Sequence, residues 1–302
     1  MPSMSISNQI AANKQKTWLI MFFFTLFVFV VVFIFSSALG LGSDIFNFIF
    51  PFLIFTILMN VSSYFWSDKI VMAISKAKQL GENDNPELFQ LVRKLTTGEN
   101  LPMPKVYLIN EMAPNAFATG RDPKHASIAV TRGILNKLNE DELEGVLAHE
   151  LSHVQNFDIR LMTVVSILVG SVALLSDFFV RSILWGNSED RNRGGGLILI
   201  LTLLAAIIAP ITAQLIQLAI SRRREFLADA SGAALTHNPE GLASALIKIS
   251  SDRTPLKAAS TATAHLYFEN PFKTGIGSNS FTKFFMTHPP IEERVEALRK
   301  MK

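Results

Sequence analysis

His149-Glu150-Leu151-Ser152-His153 is the stretch of this 302-residue chain that predicts most about its fold and its chemistry. In an α-helix, which has 3.6 residues per turn, side chains four positions apart lie on the same face. Two histidines in this arrangement can bind one zinc ion, and the glutamate between them then lies beside the open coordination position. The alternative is a pair of histidines on a helix face without a metal.

The residues around this motif favour a helix. Asn139 can cap its N-terminus, and the acidic residues 140–142 suit the positive end of the helix dipole. Leu143, Val146 and Leu147 supply an apolar stripe at helical spacing. We therefore expect both histidines on one helix, which is the geometry that a shared metal requires.

The composition is that of a membrane protein. Hydrophobic residues make up 49% of the chain, and the mean hydropathy of +0.31 is high for a soluble domain. Four segments approach the ~20 apolar residues that a bilayer core requires: residues 18–39, 45–64, 161–180 and 197–220. A cleaved signal peptide is the alternative for the first, but its apolar run is too long, and we interpret it as a retained anchor.

Lysine and arginine set the predicted orientation. Ten of them lie between Trp66 and Ile159 and twelve from Arg222 onward, whereas residues 40–44 contain none. Positive charge favours the cytoplasmic side, so we expect both termini and the motif helix in the cytoplasm. Three arginines in residues 181–196 oppose this orientation, and three consecutive ones at 222–224 balance them.

The net charge and the absence of cysteine limit the binding partners and the types of metal site that the sequence predicts. The net charge of +3 is too small to predict nucleic-acid binding, so we interpret the basic residues as topology signals and contacts with the lipid bilayer. The chain has no cysteine, which excludes disulfides and thiolate zinc sites.

A catalytic zinc site needs three protein ligands, and the predicted topology supplies the third. The last two spans form a hairpin that returns the chain to the face where the motif helix lies. Glu225 is the first carboxylate after it, and Asp229, one turn later, can accept the second N–H of a ligand histidine. Salt bridges to the nearby arginines are the alternative for both. Glu144 and Asp158 also offer carboxylates, but we expect them outside the histidine face.

Several stretches together resemble the HtpX family of membrane zinc endopeptidases, which is related to the CAAX prenyl protease type I. The stretches are His149–His153, Arg224–Asp229, Ala113–Gly120, Thr131–Leu135 and Thr287–Arg294. The resemblance covers nearly the whole chain, and a combination of this kind is far more specific than the zinc motif alone.

This resemblance implies the roles of the site residues. His149, His153 and Glu225 would bind one zinc ion per chain, Glu150 would be catalytic, and Asp229 would support a ligand. We expect Glu150 to take a proton from the attacking water and to deliver it to the leaving amine. The resemblance also implies a multi-pass protein of the cell (inner) membrane that clears damaged, unfolded or misassembled membrane proteins during stress.

Two further features are candidates for substrate contacts. Residues 106–109, 116–119 and 128–130 predict short strands, and the resemblance favours the segment Asn115, Ala116, Phe117, Ala118 as an edge that an extended peptide joins. An ordinary core sheet is the alternative. His288, before two prolines, is a candidate for stabilising the oxyanion or orienting Asp229, and the alternative is a capping or packing role.

We therefore predict a mainly α, α+β zincin-like metalloprotease domain with a small β-sheet, attached to four transmembrane helices. The first hairpin spans residues 1–66 and the second 159–220, and the catalytic domain combines 67–158 with 221–302. Two rival functions are an intramembrane-cleaving zinc protease, whose motif helix would be apolar rather than acidic at its start, and a non-enzymatic membrane scaffold or transporter.

Overall fold

Within the residues that the structure describes, ten α-helices and a four-stranded sheet form the fold. The computed structural model describes residues 6–38, 45–184, 221–260, 263–269, 271 and 289–301. The helices are α1 (Ile6–Ala38), α2 (Ile45–Phe65), α3 (Ser67–Ile74), α4 (Pro86–Gly98), α5 (Arg132–Lys137), α6 (Glu140–Gln155), α7 (Asp158–Leu184), α8 (Arg222–Thr236), α9 (Pro239–Ser251) and α10 (Ile291–Arg299). The prediction of a mainly helical protein with a small sheet is confirmed.

The sheet has the strand order β1-β2-β4-β3. Its strands are β1 (Lys78–Gln79), β2 (Lys105–Ile109), β3 (Ala116–Gly120) and β4 (Ala126–Thr131). The β2–β4 pair is parallel, and the other two pairs are antiparallel. The three predicted strands are therefore confirmed, with β3 at an edge of the sheet. β1 has only two residues, which is too short for an alternating pattern to predict.

The sheet separates two parts of the core, because successive side chains of a strand point to opposite faces. On one face, Ile128 shares a buried cluster with Leu147 of α6 and Leu246 of α9. On the other face, Phe117 and Met162 belong to a second cluster, which includes residues of α3 and α7. At about 1.5–3 kcal/mol for each fully buried large side chain, these clusters fix α6 against the sheet.

Close packing between helices brings α8 onto α6. A Cβ atom added at Gly232 of α8 would lie 2.9 Å from the backbone nitrogen of His149, closer than real Cβ atoms approach. Gly145 of α6 is in a similar position, since its Cβ would lie 2.8 Å from the nitrogen of Leu242. The two glycines therefore allow α8 and α9 to approach the motif helix more closely than larger residues would.

The apolar helices confirm part of the predicted membrane topology. Among the described residues, one helix is long and apolar enough to cross a membrane, at Ile10–Ile34 of α1. The α2–α3 pair and the α6–α7 pair also qualify, if each bent pair forms one span, but they bend by 91° and 84°. Helices α1, α2 and α7 share a third buried cluster. Four spans are therefore not confirmed: the first is clear, and the fourth, residues 197–220, lies outside the described residues.

Candidate metal centre

Helix α6 carries the motif, and its first turn explains why it begins where it does. Asn139 accepts a hydrogen bond from the Glu142 backbone N–H at 2.9 Å, and the Glu142 carboxylate accepts one from the Asn139 N–H at 3.0 Å. This reciprocal capping box satisfies two N–H groups that a helix leaves unpaired. Residues 142–154 are all buried, so the motif lies inside the protein.

The structure brings His149, His153 and Glu225 together. The two Nε2 atoms of the histidines are 3.2 Å apart. Oε2 of Glu225 lies 3.8 Å from Nε2 of His149, and Oε1 lies 3.6 Å from Nε2 of His153. One nitrogen from each histidine and one carboxylate oxygen all lie within 4.8 Å of one another, and all three residues are buried. Glu225, in the first turn of α8, therefore lies beside the histidine pair.

This donor set fits a divalent metal ion. Two imidazole nitrogens and one carboxylate oxygen are the ligands of many catalytic zinc sites. Each histidine also has an acidic partner at its other ring nitrogen, at 2.9 Å for His149 and 3.1 Å for His153. Such partners keep the proton on Nδ1, so that Nε2 presents a lone pair to the metal. Both rings are thus oriented with Nε2 toward the candidate metal position, as metal binding requires.

Asp229 is the partner of His149, with its Oδ1 2.9 Å from Nδ1. The guanidinium of Arg294 donates two hydrogen bonds to Asp229, at 2.8 Å from Nε and 2.7 Å from Nη2. Its Nη1 lies 3.9 Å from the Glu225 carboxylate, and Arg294 has no exposed surface. This arginine is not among the site residues predicted from the sequence. Its position on the same helical face as Ile291 and Leu298 is the signal that places it in the core.

Asp158 is the partner of His153, with its Oδ2 3.1 Å from Nδ1. From helical spacing we expect Asp158 outside the histidine face, and it does not join the ligand cluster. The structure places Asp158 beside Nδ1 of His153 because the chain bends by 84° between α6 and α7. At the bend Phe157 adopts the left-handed conformation, with φ of 59°. Glu144, the other carboxylate outside the face, pairs with Lys94 at 2.7 Å.

Glu150 connects the candidate metal ligands to the sheet. Its Oε2 accepts a hydrogen bond from the backbone N–H of Ala118 in β3, at 2.8 Å. Glu150 is 3% exposed and follows His149 directly on the helix. Because β3 is an edge strand, this contact places the carboxylate where the sheet edge meets the histidine pair. A group at this place can exchange protons with a water molecule near the ligands.

The outer edge of β3 contacts a segment from later in the chain, residues 263–269. The side chain of Asn115 donates to the Glu269 carbonyl at 2.8 Å and accepts from the Glu269 N–H at 3.1 Å. The Phe268 N–H donates to the carbonyl of Ala116, also at 2.8 Å. The Phe268 ring lies edge-on to the His149 ring, with centroids 5.0 Å apart. The candidate substrate edge therefore already pairs with the protein's own backbone.

Two candidate substrate-contact residues remain, Phe117 and His288. Phe117 is fully buried, and its ring packs against Tyr267 with centroids 5.0 Å apart, so its side chain belongs to the core. His288 lies outside the described residues, and its role stays a prediction.

Comparison with known proteins gives the family. The model of peptidase family M48 matches residues 82–302. The chain belongs to peptidase family M48. A protein named Protease HtpX homolog from Tropheryma whipplei (strain Twist) is 43% identical over 296 residues, covering 97% of each chain. One of the same name from Syntrophobacter fumaroxidans is 50% identical over 254 residues, covering 82% of this chain and 88% of that one.

A solved structure shares the fold of this M48 peptidase. The crystal structure of S. mikatae Ste24p matches with a TM-score of 0.50 at 20% identity, covering 94% of this chain and 66% of the Ste24p chain. The resemblance to the HtpX family is thus confirmed, and the protein is a metalloprotease that hydrolyses peptide bonds. The alternative of a non-enzymatic scaffold is wrong.

The two histidines of this M48 peptidase differ in their affinity for protons. Burial lowers the pKa of His149 to about 4, although Asp229 opposes the shift. Burial would also lower the pKa of His153, but the hydrogen bond to Asp158 and the charge of Glu225 raise it to about 9. Against the effect of burial, the charge of Arg294 lowers the pKa of Asp229 to about 2. Without a metal ion, the surroundings therefore favour a positive charge on His153 over one on His149.

Metal affinity should depend on pH because a histidine must lose its proton before it binds a metal. Since the pKa of His153 is about 9, we expect the affinity to fall about tenfold for each pH unit below that value. Competition with a chelator at several pH values measures this slope. Asp158→Asn, which removes the negative charge beside His153, should flatten the slope near neutral pH. An affinity of the native protein that is constant between about pH 6 and pH 9 would contradict the assignment.

Proposed function

We propose that the protein is a zinc-dependent endopeptidase of the cell (inner) membrane that cleaves damaged or misfolded membrane proteins at the cytoplasmic face. The observation that carries the proposal is the buried cluster of two histidines and Glu225 with Glu150 beside it. This combination of three ligands and an adjacent base is what zinc-dependent peptide hydrolysis requires. Family membership supports the reaction class.

His149, His153 and Glu225 would hold the zinc ion, which when bound supplies a Lewis acid and lowers the pKa of a water molecule. The protein's own residues transfer the protons and orient the metal ligands. Glu150 accepts the proton of the attacking water and later donates it to the leaving amine. The Ala118 N–H holds one oxygen of this carboxylate in place. Asp229 and Asp158 keep the ring nitrogens of the two histidines in the required tautomer.

The substrate is proposed to bind as an extended strand along Asn115–Ala118. An edge strand offers free backbone groups to an incoming peptide, which binds by ladder hydrogen bonds. In the structure the Ala116 carbonyl accepts from Phe268 and the Ala118 N–H donates to Glu150, so a peptide that pairs with both groups must displace both contacts. Only an extended segment can pair with this edge, which favours unfolded segments over folded domains and supports misfolded proteins as the substrate class.

Membrane proteins are the proposed substrates because the site adjoins the apolar helices. Asp158, the first residue of α7, contacts the ligand His153, and α7 packs with α1 and α2. The motif helix itself begins with a capped acidic turn at Glu140–Glu142. This polar start supports a site at the membrane surface over one inside the bilayer, which is the intramembrane-cleaving alternative.

Substitution of Glu150 tests the reaction. We expect Glu150→Gln to lower the turnover of an unfolded protein substrate by about a hundredfold to ten-thousandfold, because the general base is lost. Zinc content should be unchanged, whereas His149→Ala should lose the metal as well. The measurement is cleavage by the full-length protein in detergent, with metal analysis of each sample.

Glu144→Gln is the matched control for this experiment. It makes the same change on the same helix, but Glu144 pairs with Lys94 away from the ligands. We expect its turnover to remain near that of the native protein. Full activity of Glu150→Gln, or native activity after complete removal of metal, would rule out the proposed mechanism.

Labelling of single cysteines tests the orientation, since the native chain contains no cysteine. Asn83 is exposed in the predicted cytoplasmic part, and Ser43 belongs to the link 40–44, which is predicted to lie outside. With a membrane-impermeant maleimide, intact cells should label Ser43→Cys but not Asn83→Cys. Both should react after the membrane is disrupted. Labelling of Asn83→Cys on intact cells would place the site on the other side.

A further inference from the structure

Helix α1 contacts the turn beside the metal ligands through Asn13. The Nδ2 atom of Asn13 donates to the backbone carbonyl of Asn156 at 3.1 Å and to Oδ1 of Asp158 at 2.7 Å. A carbonyl and a carboxylate oxygen only accept hydrogen bonds, so the atom between them must be the amide nitrogen. Asn13 is 4% exposed. Its amide is thus a buried donor with two defined acceptors, far away in the sequence.

Asp158 links this amide to a metal ligand. While Oδ1 receives the hydrogen bond from Asn13, Oδ2 lies 3.1 Å from Nδ1 of His153. Arg224, which precedes the ligand Glu225, also approaches Oδ1, at 3.6 Å from Nε. The carboxylate is therefore held at one oxygen while the other faces the histidine. The orientation of the His153 ring depends on how firmly Asp158 is held.

The turn that carries Asp158 has an unusual backbone. Phe157 has φ of 59°, a left-handed conformation that residues other than glycine adopt only when their surroundings hold them there. Helix α1 contacts this turn at three points. Asn13 binds the residues on both sides of Phe157, and the ammonium group of Lys14 lies 4.5 Å from the centroid of the Phe157 ring. The start of α1 thus fixes the bend between α6 and α7.

We propose that Asn13 is a positioning residue of the metal centre, which acts on His153 through Asp158. The inference rests on the proposed function, since it assumes that His153 is a ligand. It means that the metal site includes a residue from the helix that forms the first membrane span. Loss of the Asn13 amide frees Asp158 to rotate, and His153 then presents Nε2 to the metal less often.

The test measures zinc affinity in full-length protein in detergent, by competition with a chelator. Asn13→Ala removes the donor, and we expect it to weaken zinc binding by about threefold to tenfold, which is less than the ~10–100-fold caused by loss of a ligand's direct partner, because Asn13 acts through Asp158. Asn13→Asp keeps the size of the side chain but replaces the donor with an acceptor, so it should weaken binding at least as much. Gln15→Ala is the control, because it removes a carboxamide from an exposed position on the same helix. It should leave the affinity unchanged.

A second comparison separates positioning from general destabilisation. In an Asp158→Asn background, Asn13→Ala should have little further effect on zinc affinity, because the residue that transmits its effect has lost its charge. An Asn13→Ala variant with native zinc affinity would overturn the inference. So would an equal loss of affinity in both backgrounds, because this would mean that Asn13 acts only through the stability of the fold.

The two proposals fail in different ways. If native protein binds no zinc and cleaves no substrate, the proposed function is wrong, and the inference is wrong with it. If native protein binds zinc and cleaves, but Asn13→Ala behaves like Gln15→Ala, only the inference is wrong. Thermal unfolding of each variant without metal shows how far the loss of the amide alters the fold itself.

Discussion

A charged group that is removed from water needs a partner, and the centre of this protein buries several such groups together. His149, His153, Glu225, Asp229 and Arg294 are all at most 4% exposed. Each histidine has a carboxylate at Nδ1, and Arg294 binds the carboxylate beside His149 in two places. Removing one member of such a network leaves another charge buried without compensation, which typically costs about 3–5 kcal/mol. The network therefore holds both imidazoles in a single arrangement.

The arrangement has an approximate symmetry that helical spacing alone does not produce. The two Nε2 atoms point toward Glu225, and the two Nδ1 atoms point away from it, toward Asp229 and Asp158. Asp229 comes from α8, which lies close to α6 because of Gly232. Asp158 comes from the bend into α7. Helices α8 and α7 thus each supply the carboxylate partner of one histidine.

Much of this site follows from the sequence, because helical spacing is regular. Residues four positions apart share a face, which places His149 with His153, and Glu225 with Asp229. The three predicted strands follow from alternating apolar residues. The motifs are also distinctive in combination, so the sequence alone indicates the family.

The rest could not be predicted, because it depends on breaks in regular structure and on contacts distant in sequence. The left-handed backbone of Phe157 turns Asp158 toward His153, and no residue type at that position signals such a turn. Arg294 lies 65 residues from its partner Asp229 in the sequence, and Asn13 lies 145 residues from its partner Asp158. Phe268 pairs with β3 through one backbone hydrogen bond, and no sequence pattern predicts such a contact.

The coordination of the bound metal shows whether His149, His153 and Glu225 hold one ion together. X-ray absorption at the zinc edge of the full-length protein should show one zinc ion per chain with two imidazole nitrogens at about 2.0–2.1 Å and oxygen ligands completing the shell. Glu225→Ala should lose an oxygen ligand or the ion itself. A shell with one imidazole or none, or a spectrum unchanged by Glu225→Ala, would show that these three residues do not bind the ion together.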